Sequence, residues 1–573
     1  MRDDEKILAL RPYLERVESL CRPLDREALQ RLFLSLAREV PAGGRAAFLH
    51  DLTGLLAGRT TGEPAPVRDT IKRIEVLERQ MARRAEAMED GSYWGEYDDG
   101  EYYHDDPPIL TAEMEAEVAD CLEETGQLFR QGLLAEARQV YSRLFAAVRI
   151  AEEHGHDWSR NKAGLREGRA RHCRAVYELT AGKKRLSAML AAMEIEADGG
   201  PFGDEVPGDV PLLQDVIDAQ TGDLPGLAEF LLQWDKALSG GKIANTRLAA
   251  LRLEAAFMLG GVAGVAALAR QWRAEQPLGY VTWCDRLRSD SDWKGMAAAA
   301  REGLAELPPG YPRAAAAARL IEAGQALGDR PTVLEGRRER FRSLPAATTL
   351  LSLLAAAGRG PARQQELSLA LDVMKKLTRT PMFDSCLYAK TLLMAGRLPE
   401  AFALAEKAKP VGWSYGSPAG VVFAAVLHLA AGGRESGAVS ALLHAYGDAH
   451  GYDLDQEPCA SDAVCASIPE EIVHGLALAG PDETALARYL EWARTIGEKR
   501  VNHIVANKHR GAYDRAAQVL AALAETRCVR SGKAEAQRLL DDYYRNRYNR
   551  FSAFRACLRS AVGQSPLLRG VKL

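Results

Sequence analysis

Strand signals are scarce in this sequence. No stretch alternates β-branched with polar residues between turn chemistry anywhere in its 573 residues, which argues against a β-sheet domain. Aromatic residues are few, at 7%. Neither sign of charge is in excess: 74 Lys and Arg stand against 78 Asp and Glu, a net charge of -4. No global field therefore draws the chain to nucleic acid or to an acidic membrane surface, and any such interest has to be local. Long hydrophobic runs are missing too. The longest uncharged apolar stretches, Ala255 to Ala269 and Gly420 to Ala431, fall short of the ~20 residues that span a bilayer. Neither a phosphate-cradling Gly-x-x-x-x-Gly-Lys-Ser/Thr nor a dinucleotide fingerprint after a strand occurs. No cofactor, metal or small-molecule substrate is expected.

The nine cysteines are scattered and odd in number, mostly inside apolar helical patterns, which reads as reduced core thiols of a cytosolic protein. The opening Met-Arg-Asp-Asp-Glu-Lys carries acid where a secretory leader needs a basic start and an apolar run. A cytoplasmic location is expected.

What the sequence does hold is helix-forming composition. Apolar residues reach 47% and charged residues 27%, with much Ala, Leu, Arg and Glu, the residues that lose least entropy in a helix. A recurring punctuation runs through them, in which a glycine closes one helix and an apolar residue five positions on opens the face of the next. Instances are Gly132/Ala137, Gly222/Leu227, Gly260/Val265, Gly328/Val333, Gly396/Ala401, Gly480/Ala485 and Gly511/Ala516. Pro225, Pro331 and Pro399 stand early in the new helix, where a missing N–H costs nothing. Several glycine spacings lie near one or two times the ~34 residues of a tetratricopeptide-type helix pair. The expected fold is all-α, a superhelical array of antiparallel helix pairs. Its expected divisions are an N-terminal helical unit (1–88), an acidic tyrosine-rich loop (89–110), a helical-repeat solenoid (111–470) and C-terminal repeats with a basic, aromatic tail (471–573).

Leu24 to Leu56 reads as two short helices with Asp25 as a cap, and Pro66 to Glu89 as a charged helix carrying Ile71, Ile74, Leu77 and Met81 on one face. The next stretch is the most unusual. From Ala85 to Glu124 the sequence holds fifteen acidic residues and no Lys or Arg, broken by glycines and Pro107-Pro108. Tyr93, Trp94, Tyr97, Tyr102 and Tyr103 offer apolar area there, and Asp98, Asp99, Asp105 and Asp106 offer charge, a combination suited to docking a basic partner. It suits equally a solvated linker whose tyrosines pack on the helices. The tail has the opposite sign, with eleven Lys or Arg and three acids from Arg527 onward. Arg545, Arg547, Arg550, Arg555 and Arg559 alternate there with aromatics, as phosphate contact with base stacking would need. If Tyr543 to Leu558 is one helix, the alternative is that Tyr544, Tyr548, Phe551 and Phe554 pack inward and the arginines form a solvated face. A further alternative is that the tail neutralises the acidic loop, in the same chain or a neighbour.

Together these stretches resemble the helical region of bacterial proteins that carry a SWIM zinc finger. The likeness rests on LDREALQRLFLSLARE (Leu24 to Glu39), on IKRIEVLERQ followed by the acidic loop and VADCLEETGQLFRQGLLAEARQVYSRLF, and on VNHIVANKHRGAYDRAAQVLAALAE with the closing RYNRFSAFRACL. It implies the scaffold alone, because the finger's Cys-x-Cys is missing from this sequence. Gly412-Trp413-Ser414-Tyr415-Gly416 matches the hydrolase elbow, yet the elbow needs a preceding strand and Pro399 to Ala408 reads as helix. Ser414 therefore reads as an accidental match, with Trp413 and Tyr415 as packing residues. Cys459, Cys465 and His474, and likewise His154, His156, His172 and Cys173, fit no zinc spacing. The expected function is a non-enzymatic scaffold binding protein partners. The alternatives are a nucleic-acid-associated accessory factor of a defence or mobile-element system, and a protease substrate or regulatory target in such a system.

Overall fold

A computed structural model of the chain describes residues 16, 17, 19–39, 49, 67–89, 109–156, 158, 161–193, 210–220, 222–240, 246–380, 383–409, 413, 417–433, 437–448 and 467–573. Among these every regular element is helical, and most helices pack against their neighbours in sequence. The fold is all-α and solenoid-like. The chain divides into two compact units, Met1–Trp283 and Cys284–Leu573.

The first unit opens with α1 (Arg26–Glu39), whose first turn is capped by Asp25 accepting the Ala28 N–H at 2.7 Å. Next come α2 (Val67–Glu89), α3 (Ala112–Arg130), α4 (Leu134–Glu153), α5 (Lys162–Leu179), α6 (Lys184–Ala192), α7 (Leu213–Asp218), α8 (Leu227–Leu238) and α9 (Thr246–Trp272). The predicted face of α2 is the buried one: Ile74, Leu77 and Met81 sit in a core with Val118, Cys121, Val140 and Tyr141, while Ile71 packs at its edge. Thr246–Glu275 is long and apolar enough to cross a bilayer by length and composition, but it is not one straight helix. At Gly261, with φ 59° and ψ -152°, the chain reverses. Gly264 comes against the Ala256 carbonyl with no room for a Cβ, and Arg252 lies 5.5 Å from the Trp272 ring. Gly261 rather than Gly260 makes the turn, in a backbone region that only glycine adopts without strain.

After α10 (Leu278–Ser289), which carries the boundary, the second unit begins with α11 (Trp293–Glu306), α12 (Tyr311–Leu327), α13 (Arg330–Ser343), α14 (Ala347–Ala357), α15 (Pro361–Lys376), α16 (Ser385–Met394) and α17 (Leu398–Glu406). Alternate helices start at 293, 330, 361 and 398, close to the expected period. Arginines tie one pair to the next at that same interval. Arg301 meets Glu335 at 2.7 Å and Arg319 meets Asp285 at 3.2 Å, each across 34 residues.

The rest of this unit leaves linear stacking. α18 (Pro418–Ala430), α19 (Gly437–Gly447), α20 (Ile468–Ala479), α21 (Glu483–Ala506), α22 (Tyr513–Ser531), α23 (Lys533–Asp541) and α24 (Ser552–Gly563) form a closed bundle. Its axis is α18, where of thirteen residues only Leu429 is not buried. α16, α19, α21 and α22 all pack on it. The expected division at 470 falls inside this bundle, because α20 packs on α16 and α22 on α19. At the predicted glycine ends, Gly132, Gly222, Gly328, Gly396 and Gly480 have positive φ, but at the last of them Lys508 takes that conformation and Gly511 lies in a 3-10 turn. Pro331 and Pro399 occupy first-turn positions of their helices, whereas Pro225 lies ahead of α8.

Candidate partner-binding cleft

The site begins with two ties between α2 and α3. Near the end of α2, Arg84 donates Nε–H to the Ile109 carbonyl at 2.7 Å, just ahead of α3. Thr111 caps α3 by accepting the Met114 N–H at 3.3 Å. Further along, Arg73 donates to Glu117 and, at 2.6 Å, to Glu124, which also accepts the Thr70 hydroxyl at 3.0 Å. These two carboxylates hold the Arg73 guanidinium firmly in its charged form. The helices are thus pinned antiparallel at two levels.

Between the ties lies a cleft of about 780 Å³. Its floor is apolar: Leu77 and Met114 are buried, and Val76 is 44% exposed although it is a valine on a helix. Its α2 rim is Lys72, Gln80 and Arg83, all exposed. With Val76 they stand at i, i+4, i+8 and i+11, one straight row along the helix. Glu113 and Glu117 line the opposite wall. The Glu113 carboxyl is held below its ordinary range by hydrogen bonds from its own backbone N–H and from Thr111 at the start of α3. Lys72, Arg73, Arg83 and Arg84 line the cleft with Glu113 and Glu117, and Glu124 and Asp69 pair with Arg73 and Lys72 from beside it. Arg83 has no ion-pair partner among the described residues, and Lys72 has only the exposed Asp69 at 3.3 Å. This cleft was not singled out from the sequence. Its signal was Val76, one apolar residue in the middle of the charged face of α2.

The residues that the sequence did single out are placed differently. Tyr93, Trp94, Tyr97, Asp98, Asp99, Tyr102, Tyr103, Asp105 and Asp106 lie outside the described residues, as do Ser414, Tyr415, Cys459 and Cys465. In the tail, Tyr543, Tyr544, Tyr548 and Phe554 are buried and Phe551 packs at the edge of the same core. They reach it without the single helix considered above: a π-helical turn spans Asp542–Arg547, and α24 starts only at Ser552. Stacking on bases is closed to the four buried rings. Arg545 pairs with Asp541 at 3.0 Å and Arg547 with Asp542 at 2.7 Å, while Arg555 lies over the Tyr544 ring at 4.2 Å. Arg550 and Arg559 are exposed, with no ion pair among the described residues.

Trp413 is buried beside Phe423 and Tyr446, with Arg500 4.6 Å from its ring centre. It packs, as its composition suggested. Among the described residues the element that precedes it is the helix α17, not a strand. His154 contacts its own helix at the Ile150 carbonyl, His172 lies edge-on to Tyr141 and Phe145, and Cys173 donates to the Ala192 carbonyl. Burial depresses the His172 pKa to about 4 and raises the Cys121 and Cys284 thiols to about 12. Among the described residues no three His, Cys, Asp or Glu side chains converge as metal ligands.

Comparison of the chain with protein-family models and with curated proteins finds no match.

Proposed function

We propose that this chain is a non-enzymatic bacterial scaffold that works in the cytoplasm by holding protein partners on its helical surfaces. The observation that carries the reading is the α2–α3 cleft. An apolar floor within a charged rim is the anatomy of a protein-docking surface: the floor supplies the driving force and the rim supplies orientation and selectivity. Each helix in such an array is fixed by its neighbours, so its outer face is available for contact without unfolding cost. The likeness to the helical region of SWIM-associated proteins points the same way.

The test is purification of the tagged chain from its native cells, followed by reconstitution with each co-purifying protein made separately. A stoichiometric complex that re-forms from pure components is the expected result. Failure of every reconstitution, together with a catalytic activity that stays with the isolated chain, contradicts the proposal.

A second reading is a nucleic-acid-associated accessory factor of a defence or mobile-element system. It draws on the exposed Arg550 and Arg559 beside Arg545 and Arg547. Its contacts would be to phosphates alone, and so strongly salt-dependent.

A further inference from the structure

We propose that the α2–α3 cleft takes an acidic amphipathic helix from a separate protein, its apolar side chains seated on Val76, Leu77 and Met114 and its carboxylates on Lys72 and Arg83. The inference rests on the scaffold reading and adds the chemistry of the partner.

Three features of the cleft define that chemistry. Its floor leaves Val76 44% exposed between two buried apolar residues, apolar area that a partner's side chain can cover. Its free charges are positive: Arg83 lacks an ion pair among the described residues, and Lys72 and its Asp69 partner are 59% and 62% exposed, an exchangeable pair. Arg73 and Arg84, by contrast, are already engaged. Finally, the row from Lys72 to Arg83 runs about 17 Å at 1.5 Å per residue. That is three turns of helix, the length over which an amphipathic helix presents anchors at i, i+3, i+4 and i+7 to a groove.

A phosphate backbone would meet the same cations, but it has nothing to place on Val76. A basic peptide fails on the rim. The acidic helix satisfies both surfaces.

The test uses the full-length protein and a fluorescein-labelled twelve-residue peptide in which Trp and Leu are set three and four apart among Asp and Glu. Anisotropy at low salt should show saturable binding. Replacing the peptide's acids by Asn and Gln, or making Lys72→Glu with Arg83→Glu, or Val76→Asp, should each weaken it on the order of tenfold or more. Arg545→Glu with Arg550→Glu should leave it unchanged, and oligothymidylate should not compete. All substituted positions are exposed, and an unchanged melting transition verifies the fold of each variant. Should Val76→Asp disturb that transition, Val76→Ser replaces it.

No saturable binding, binding indifferent to both cleft variants, or displacement by oligothymidylate overturns the proposal. A chain that fails here yet re-forms a complex with a purified partner keeps the scaffold reading and loses only this assignment.

Discussion

Glu254, fully enclosed in the first unit, accepts the backbone N–H of Leu213 at 2.7 Å and that of Gln214 at 2.8 Å, capping a helix forty-one positions away in sequence. Glu525 does the same for Ala438 and Val439 at 2.9 Å each in the second unit. A helix start leaves N–H groups without partners, and here a carboxylate from another helix accepts them.

Burial raises the Glu254 pKa to about 7 from an ordinary 4.5, against the opposing pull of the two N–H donors. Arg247 on the same helix and Asp215 on α7, itself bridged to Arg166 at 2.8 Å, are the charges that face it. An acid whose folded pKa is raised holds its proton more tightly in the folded chain than in the unfolded one. Its contribution is therefore whole below pH 4.5 and is lost as pH rises through about 7, an upper bound of about 3 kcal/mol. Glu254→Gln keeps an acceptor oxygen without titrating. Urea unfolding from pH 4.5 to 8 should show wild type losing stability relative to this variant across that window. A constant difference would refute the assignment.

The ion pairs between helices should differ sharply in weight. Arg301 and Glu335 are each over 40% exposed, whereas Glu366, held by Arg338, is only 2% exposed. Breaking the first pair should cost about 1 kcal/mol or less. Arg338→Met should cost about 3 kcal/mol, because Glu366 is left as a buried charge without its partner. Denaturant midpoints of the two single variants decide this, and equal losses would count against it.

Much of the fold was legible in the sequence because helices announce themselves locally. Ile74, Leu77 and Met81 recur at helical spacing, Asp25 precedes its helix, and glycines such as Gly328 and Gly396 stand where helices end. The parts that were not legible depend on contacts distant in sequence. Glu254 and Glu525 are single acids within apolar runs, and nothing near them identifies the helix starts they cap. The closure of α19 to α24 around α18 is likewise a product of long-range packing. The cleft was only half visible: Val76 on the charged face of α2 was readable, but α3 had to be placed beside it.

Gly475 marks that closure. A Cβ there would collide with the carbonyl oxygens of Leu393 and Met394, so α20 meets the end of α16 backbone to backbone. Although alanine is the better helix former, Gly475→Ala should destabilise the second unit by about 1–3 kcal/mol through overpacking. An unchanged or raised melting temperature would show that the helices are not that close.

In the tail, Tyr544 should behave as a core residue. It is buried with Arg555 over its ring, so Tyr544→Ala should lower stability by about 3 kcal/mol. Retention on heparin, if it occurs, should fall with salt and with Arg550→Glu and Arg559→Glu. A folded Tyr544→Ala protein with normal stability and altered nucleic-acid binding would restore a stacking role.

The most direct test of the cleft as the scaffold's docking surface is a photo-crosslinking residue at position 76. The account predicts a discrete adduct with a partner protein, reproduced with that partner in pure form and lost when Lys72 and Arg83 are changed to Glu. Absence of any adduct from position 76 with a partner known to bind, or an adduct that survives the charge reversal, would contradict it.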